Sequence, residues 1–164
     1  MTNDPSWTPS TLLLDEIALA LGQTDSLGYT FWFDGVDHEV KTLTFDPEDD
    51  LQPPTEADPA WSQQEYALAQ RILEDPDRYR RIEGRGTPGR LHAFIDSIPD
   101  DGLRQDLWEA KRGGRGAYRR VRNALGRRGL ERLWHDYEAE ADRQLALGWL
   151  RSQGLLPPES DPGA

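Results

Sequence analysis

The chain of 164 residues has 30 Asp and Glu against 19 Lys and Arg, a formal net charge of −11, 36% apolar residues and no cysteine. This length suits one domain with a real core, and the missing thiols exclude disulfides and thiolate metal sites. No run approaches the roughly 18 apolar residues that span a bilayer, and MTNDPSWTPS lacks the basic start and apolar segment of a secretory signal, so the expected setting is cytoplasmic with no membrane partner.

Residues 1–10 read as a disordered start. Leu12–Leu14 reads as a short strand, after which Asp15 caps a helix over Glu16–Leu21 that Gly22 ends. Tyr29–Phe33 and Glu39–Phe45 are rich in β-branched and aromatic residues around Asp34-Gly35, which predicts a hairpin with a connection of about five residues. Residues 46–60 form an acidic, proline-bearing loop whose composition builds no core. Helical spacing begins at Trp61, with Asp58 as N-cap and Pro59 in the first turn, and stops at Asp75-Pro76. Arg80–Ile82 is a brief extended segment. Helices follow from Thr87-Pro88 (Leu91, Phe94, Ile95, Ile98) and from Pro99-Asp100 (Leu103, Leu107, Trp108). Gly113-Gly114 breaks the second of these, and a basic helix runs over Arg115–Leu125. Gly129 separates it from the longest element, Leu130–Gln153, whose Leu130, Leu133, Trp134, Tyr137, Ala141, Leu145, Gly148 and Trp149 form a core stripe. Gly154 closes that helix, Leu155 packs back, and residues 157–164 are a flexible tail. The resulting fold class is α+β: a short N-terminal helix and a β-hairpin on a bundle of about five helices, one domain over residues 11–156.

Charge is unevenly divided. Residues 1–60 hold thirteen acids and one Lys, whereas Lys111–Arg128 holds eight basic side chains and no acid. A field of one sign on a small patch attracts an anion. Two glycines before a helix let backbone approach a ligand, and the first N–H groups of that helix favour negative charge. Arg115, Arg119 and Arg122 fall at i, i+4 and i+7 on one face, and guanidinium forks suit phosphate or carboxylate. The candidate anion-binding set is therefore Arg112, Gly114, Arg115, Gly116, Arg119, Arg120 and Arg122. The competing reading has Arg stems covering Trp108 or Trp134 and Arg heads paired with the acidic hairpin.

Segments LLLDEIALAL, WFDGVDHEV, ILEDPDRYRRI, GGRGAYRRVRNAL and LERLWHDYEAEADRQLALGWLRSQGL, in this order, resemble the bacterial uncharacterised protein family UPF zero-one-five-eight over roughly residues 11–156. Gly114, Arg115, Gly116, Ala117, Arg119, Arg120, Trp134 and Trp149 match the family pattern, while Tyr118 and Val121 stand where it has Phe, Arg122 where it has Lys and Asn123 where it has Asp. The resemblance implies a single domain and no particular activity.

Other motifs are weaker. GRGTPG at 84–89 matches G-x-G-x-x-G by letter, but no βαβ unit surrounds it and Pro88 removes an N–H, so it reads as a turn. RGGRG occurs once and runs straight into a helix. Glu131, His135 and Glu138 share a helix face in a spacing that is not H-E-x-x-H. Asp46, Glu48, Asp49 and Asp50 lack the calcium-loop spacing. No Ser lies in G-x-S-x-G. The expected function is a non-enzymatic binding or adaptor module, without a cofactor, that engages nucleic-acid phosphate or an acidic protein surface through the basic helix. The alternatives are a protein-interaction domain with that helix paired internally, and a metal-dependent enzyme at Glu131 and His135. Acidic residues 34–58 are further expected to cover the basic patch when the partner is absent.

Overall fold

The computed structural model describes residues 7–24 and 27–159. It contains six helices and one three-stranded antiparallel sheet, in the order α1 (Thr11–Gly22), β1 (Thr30–Asp34), β2 (Glu39–Leu43), α2 (Trp61–Glu74), β3 (Tyr79–Ile82), α3 (Arg90–Ser97), α4 (Asp101–Lys111), α5 (Ala117–Arg127) and α6 (Glu131–Ser152). The α+β class with a long C-terminal helix is as the residues predict. The chain falls into two compact units: one comprises the described residues up to Gly86 and from Asp142 onward, the other Thr87–Ala141, so α6 contributes to both.

In the first unit β1 is the central strand of the order β2-β1-β3, with Phe33 opposite Val40 on one side and Arg80 on the other. Alternation sends Phe31 and Phe33 to one face and Trp32 to the other. Phe33 joins Leu13, Leu14, Ile17, Leu21 and Ile82 in one apolar cluster, with Ala146 and Leu150 of α6. Trp32 joins Leu43, Ala69, Ile72 and Tyr79 in a second. Both faces of β1 are covered, which is why TFWFD is apolar nearly throughout rather than alternating with polar residues.

Helix α1 begins at Thr11, so Leu12–Leu14 is not a strand. Ser10 accepts a hydrogen bond from the Leu13 N–H at 3.1 Å, and Leu13, Leu14, Ile17, Ala18 and Leu21 are buried at helical spacing. Three consecutive leucines carry no period of their own, and the positions after them decide. Asp15 is consequently an exposed helical residue rather than a cap. The disordered start expected over residues 1–10 falls outside the described residues for 1–6, while Trp7 packs on the first cluster, its ring 4.1 Å from that of His38. Of the tail, residues 160–164 lie outside the described residues. The hairpin connection is four residues long, with His38 in the left-handed region at φ 55°.

Asp58 does not cap α2. Its carboxylate accepts from the Thr55 N–H at 2.6 Å and hydroxyl at 2.9 Å, closing a turn before the helix, and α2 starts at Trp61 after Ala60 without a side-chain cap. Arg80–Ile82 is part of β3 and completes the sheet. Loop 84–86 folds onto the end of α1, where the Leu21 carbonyl accepts from the Arg85 and Gly86 N–H groups at 2.8 and 3.1 Å. A Cβ at Gly84 would stand 2.0 Å from the Gln23 carbonyl oxygen. Gly84 of GRGTPG thus serves close backbone packing, while Gly89 supplies a positive φ of 76° at the start of α3.

The second unit has its own core: Phe94, Ile95, Ile98, Leu103, Leu107, Val121, Leu125 and Trp134. Asp100 caps α4 by accepting from the Leu103 N–H at 2.7 Å. Of the α6 stripe, Trp134 is buried and Leu130, Tyr137, Ala141, Leu145 and Trp149 are half-buried, but Leu133 is 41% exposed, Gly148 is exposed, and the fully buried Ala146 and Leu150 lie outside the predicted set. The helix closes as expected, with Gly154 at φ 71° and the Leu155 N–H donating to the Leu150 carbonyl at 2.9 Å. Trp32 is buried, whereas Trp61 is exposed.

Candidate anion-binding face

Helices α4 and α5 form an antiparallel hairpin. Arg120 reaches the Ala110 carbonyl, and Arg128 pairs with Asp106 one turn earlier in α4. The junction, residues 112–116, contains three glycines with positive φ: Gly113 at 95°, Gly114 at 66° and Gly116 at 76°. An L-residue is strained in such conformations. The loop has this shape because it wraps around one guanidinium. Arg120 donates from Nε to the Ala110 carbonyl at 2.7 Å, from Nη1 to the Arg115 carbonyl at 2.7 Å and from Nη2 to the Arg112 carbonyl at 2.6 Å. These are carbonyls at and just beyond the end of α4, the groups a helix leaves unpaired. A Cβ on Gly116 would stand 3.3 Å from Arg120 Nη1.

Three expectations change. Arg120, placed in the anion-binding set, is a half-buried clamp with every guanidinium nitrogen donating to backbone. Gly116 admits that clamp rather than a ligand. Arg115 lies in the loop, outside α5, so it does not share a helical face with Arg119 and Arg122.

What the hairpin presents outward is a set of cations. Val121 and Leu125 are buried, which turns Arg119, Asn123 and Arg127, at i, i+4 and i+8, to solvent. Arg112 and Arg115 are exposed in the loop. The side chains of Arg112, Arg115, Arg119 and Arg127 make no hydrogen bond or ion pair with any described residue. Arg122 lies on the flank with its guanidinium 5.7 Å from the centre of the Tyr118 ring. Tyr118 is fixed from behind: its hydroxyl accepts from Trp134 Nε1 at 2.9 Å, and the two rings meet edge to face at 5.4 Å. The stem expected over Trp108 is that of Lys111, whose Nζ sits 5.0 Å from the indole.

The hairpin carboxylates have partners inside their own unit. Arg78 holds buried Asp34 in a two-pronged pair at 2.9 and 2.8 Å and reaches Asp37 at 3.1 Å. Arg81 bridges Asp46 at 2.7 Å and Glu48 at 3.0 Å while lying over the Trp32 ring. Burial alone pushes the Asp34 carboxyl up, but the Arg78 hydrogen bond and the N–H groups of Val36 and Asp37 carry it below its ordinary 3.8, and Asp46 is lowered in the same way by Arg81 and the Glu48 N–H. Sequence reasoning passed over this pair of ion networks. The signal was Asp34 in the turn together with Arg78 and Arg81, three residues apart at β3.

Glu131 and His135 border one small cavity together with Arg122, Leu125 and Trp134. Gly126 lets the Glu131 carboxylate lie where a Cβ would be only 2.8 Å away. Among the described residues no group of three His, Asp or Glu side chains is arranged to hold a metal ion, and no helix is long and apolar enough to cross a membrane.

No family model, curated protein or solved structure matches this chain. Geometry and charge therefore carry the functional argument unaided.

Proposed function

We propose that the protein is a non-enzymatic binding module that engages an anionic partner, nucleic-acid phosphate or an acidic protein surface, through Arg112, Arg115, Arg119 and Arg122. Membership of the family UPF zero-one-five-eight is part of this reading and adds no activity to it. The observation that carries the proposal is the set of exposed guanidinia on α5 and its preceding loop without a carboxylate partner among the described residues. Elsewhere Arg78, Arg81 and Arg128 are neutralised by Asp or Glu. Arginines left uncompensated in an acidic chain keep their full attraction for a polyanion. Arg120 holds the loop from which two of them project, so the face is presented on a fixed scaffold.

The second reading, internal pairing of the basic helix, is favoured at two positions, Arg120 and Arg128. The test separates the two. A double variant Arg119→Glu/Arg122→Glu should keep its far-UV circular dichroism and urea midpoint while losing binding to a labelled polyanion in fluorescence anisotropy. Lost stability with no polyanion binding by the wild type at low salt would transfer the helix to the second reading.

A further inference from the structure

The anion reading leaves the partner's chemistry open, and two features of the face narrow it. The first is spacing. Arg119 and Arg127 stand eight residues apart on the outer face, about 12 Å along the helix axis at 1.5 Å per residue, with neutral Asn123 between them. Side chains this far apart fit a repeating anion rather than converge on one phosphate group. The second is Tyr118. Its ring is 44% exposed beside this pair, although its hydroxyl is bonded and its edge packed. The Trp134 contact fixes one edge of the ring, and the exposed Arg122 places a planar cation over it. An acidic peptide uses the cations and has no use for a fixed aromatic plane. A duplex offers phosphates but keeps its bases stacked on each other. An unpaired base can slide onto the ring in place of the Arg122 guanidinium, which then turns to the adjacent phosphate.

We infer that the α5 face is a site for single-stranded nucleic acid, in which the arginines follow the backbone and Tyr118 carries a base. The inference rests on the reading of this face as the anion site and names its occupant.

The experiment is an anisotropy titration of the full-length protein with a labelled oligouridylate, a duplex of equal length, and polyglutamate as competitor, at about 50 and about 200 mM salt, where counterion release is resolved. The oligouridylate should bind more tightly than the duplex and lose affinity as salt rises. Tyr118→Leu should weaken the single strand about ten-fold, the scale of one stacked base, and leave the duplex unchanged, while Tyr118→Phe binds as wild type. Equal affinities for single strand and duplex, with no effect of Tyr118→Leu, would overturn the inference and leave the anion reading standing. Displacement by polyglutamate at low concentration, with weak oligouridylate binding, would overturn it in favour of an acidic protein. Absence of binding to every polyanion would remove both. If Tyr118→Leu fails to fold, the wild-type preference between single strand and duplex decides by itself.

Discussion

Asp34 shows how much one carboxylate can organise. It accepts from the Val36 and Asp37 N–H groups, which closes the hairpin turn, and from two nitrogens of Arg78, which joins that turn to the residue before β3. The side chain is fully buried, so an unmatched replacement leaves several donors without a partner. Asp34→Ala should lower stability by about 3 kcal/mol, read from urea unfolding, the range found when one member of a buried pair is removed. The pH dependence follows from the sign of the shift. The folded-state value of Asp34 is lowered, so its contribution is complete above the unfolded value near 3.8 and is lost as pH falls through the folded value. Asp46 has the same sign. The urea midpoint should be flat around neutrality and drop below about pH 4, less steeply in Asp34→Asn. Arg120 is the counterpart in the second unit: Arg120→Met removes three donors from carbonyls at the end of α4 and should cost about 2 kcal/mol. Calorimetry of that variant measures the clamp apart from binding.

At the scale of elements, the ends of helices are where local residue types and actual structure part company. Ser10 and Asp100 cap α1 and α4 through the N–H three residues on, as such residues do, and Ser10→Ala should destabilise by about 1 kcal/mol in urea unfolding. Asp58 has equal capping capacity but is taken by Thr55. The loop after β3 is held by fit rather than by propensity. Gly84→Ala places a methyl group against the Gln23 backbone, which cannot swing aside as a side chain can, and a loss on the order of 3 kcal/mol is expected. Helix α5 divides cleanly: Val121 and Leu125 inward, Arg119, Asn123 and Arg127 outward, Arg120 toward α4 and Arg122 over Tyr118. Four adjacent arginine positions thereby have three different environments.

For the whole molecule, the net charge of −11 conceals its distribution. The acidic N-terminal third is partly neutralised by Arg78 and Arg81, so Asp34, Asp37, Asp46 and Glu48 are already engaged there. Neutralising Asp46 and Glu48 should therefore loosen the segment they anchor to β3 and leave polyanion affinity unchanged. An affinity rise on that substitution, measured by anisotropy with folding checked by circular dichroism, would instead show that these acids cover the basic face. Much of the fold was open to reading: the hairpin, all the helices after residue 60 and the glycine closure at 154 follow from period and punctuation. The site was open only in outline, because a run of arginines states its charge and not its partners.

The α+β class, the concentration of basic residues at 111–128 and the amphipathic faces follow from composition and from neighbours within a few residues. Long-range packing alone assigns Arg78 and Arg81 to the hairpin acids and makes Arg120 a clamp while Arg119 remains exposed. The physical reason is the same for Arg78, Arg81 and Arg120. A guanidinium binds whichever acceptor the folded chain brings within about 3 Å, and the acceptors lay 10 residues away for Arg120, 35 for Arg81 and 44 for Arg78.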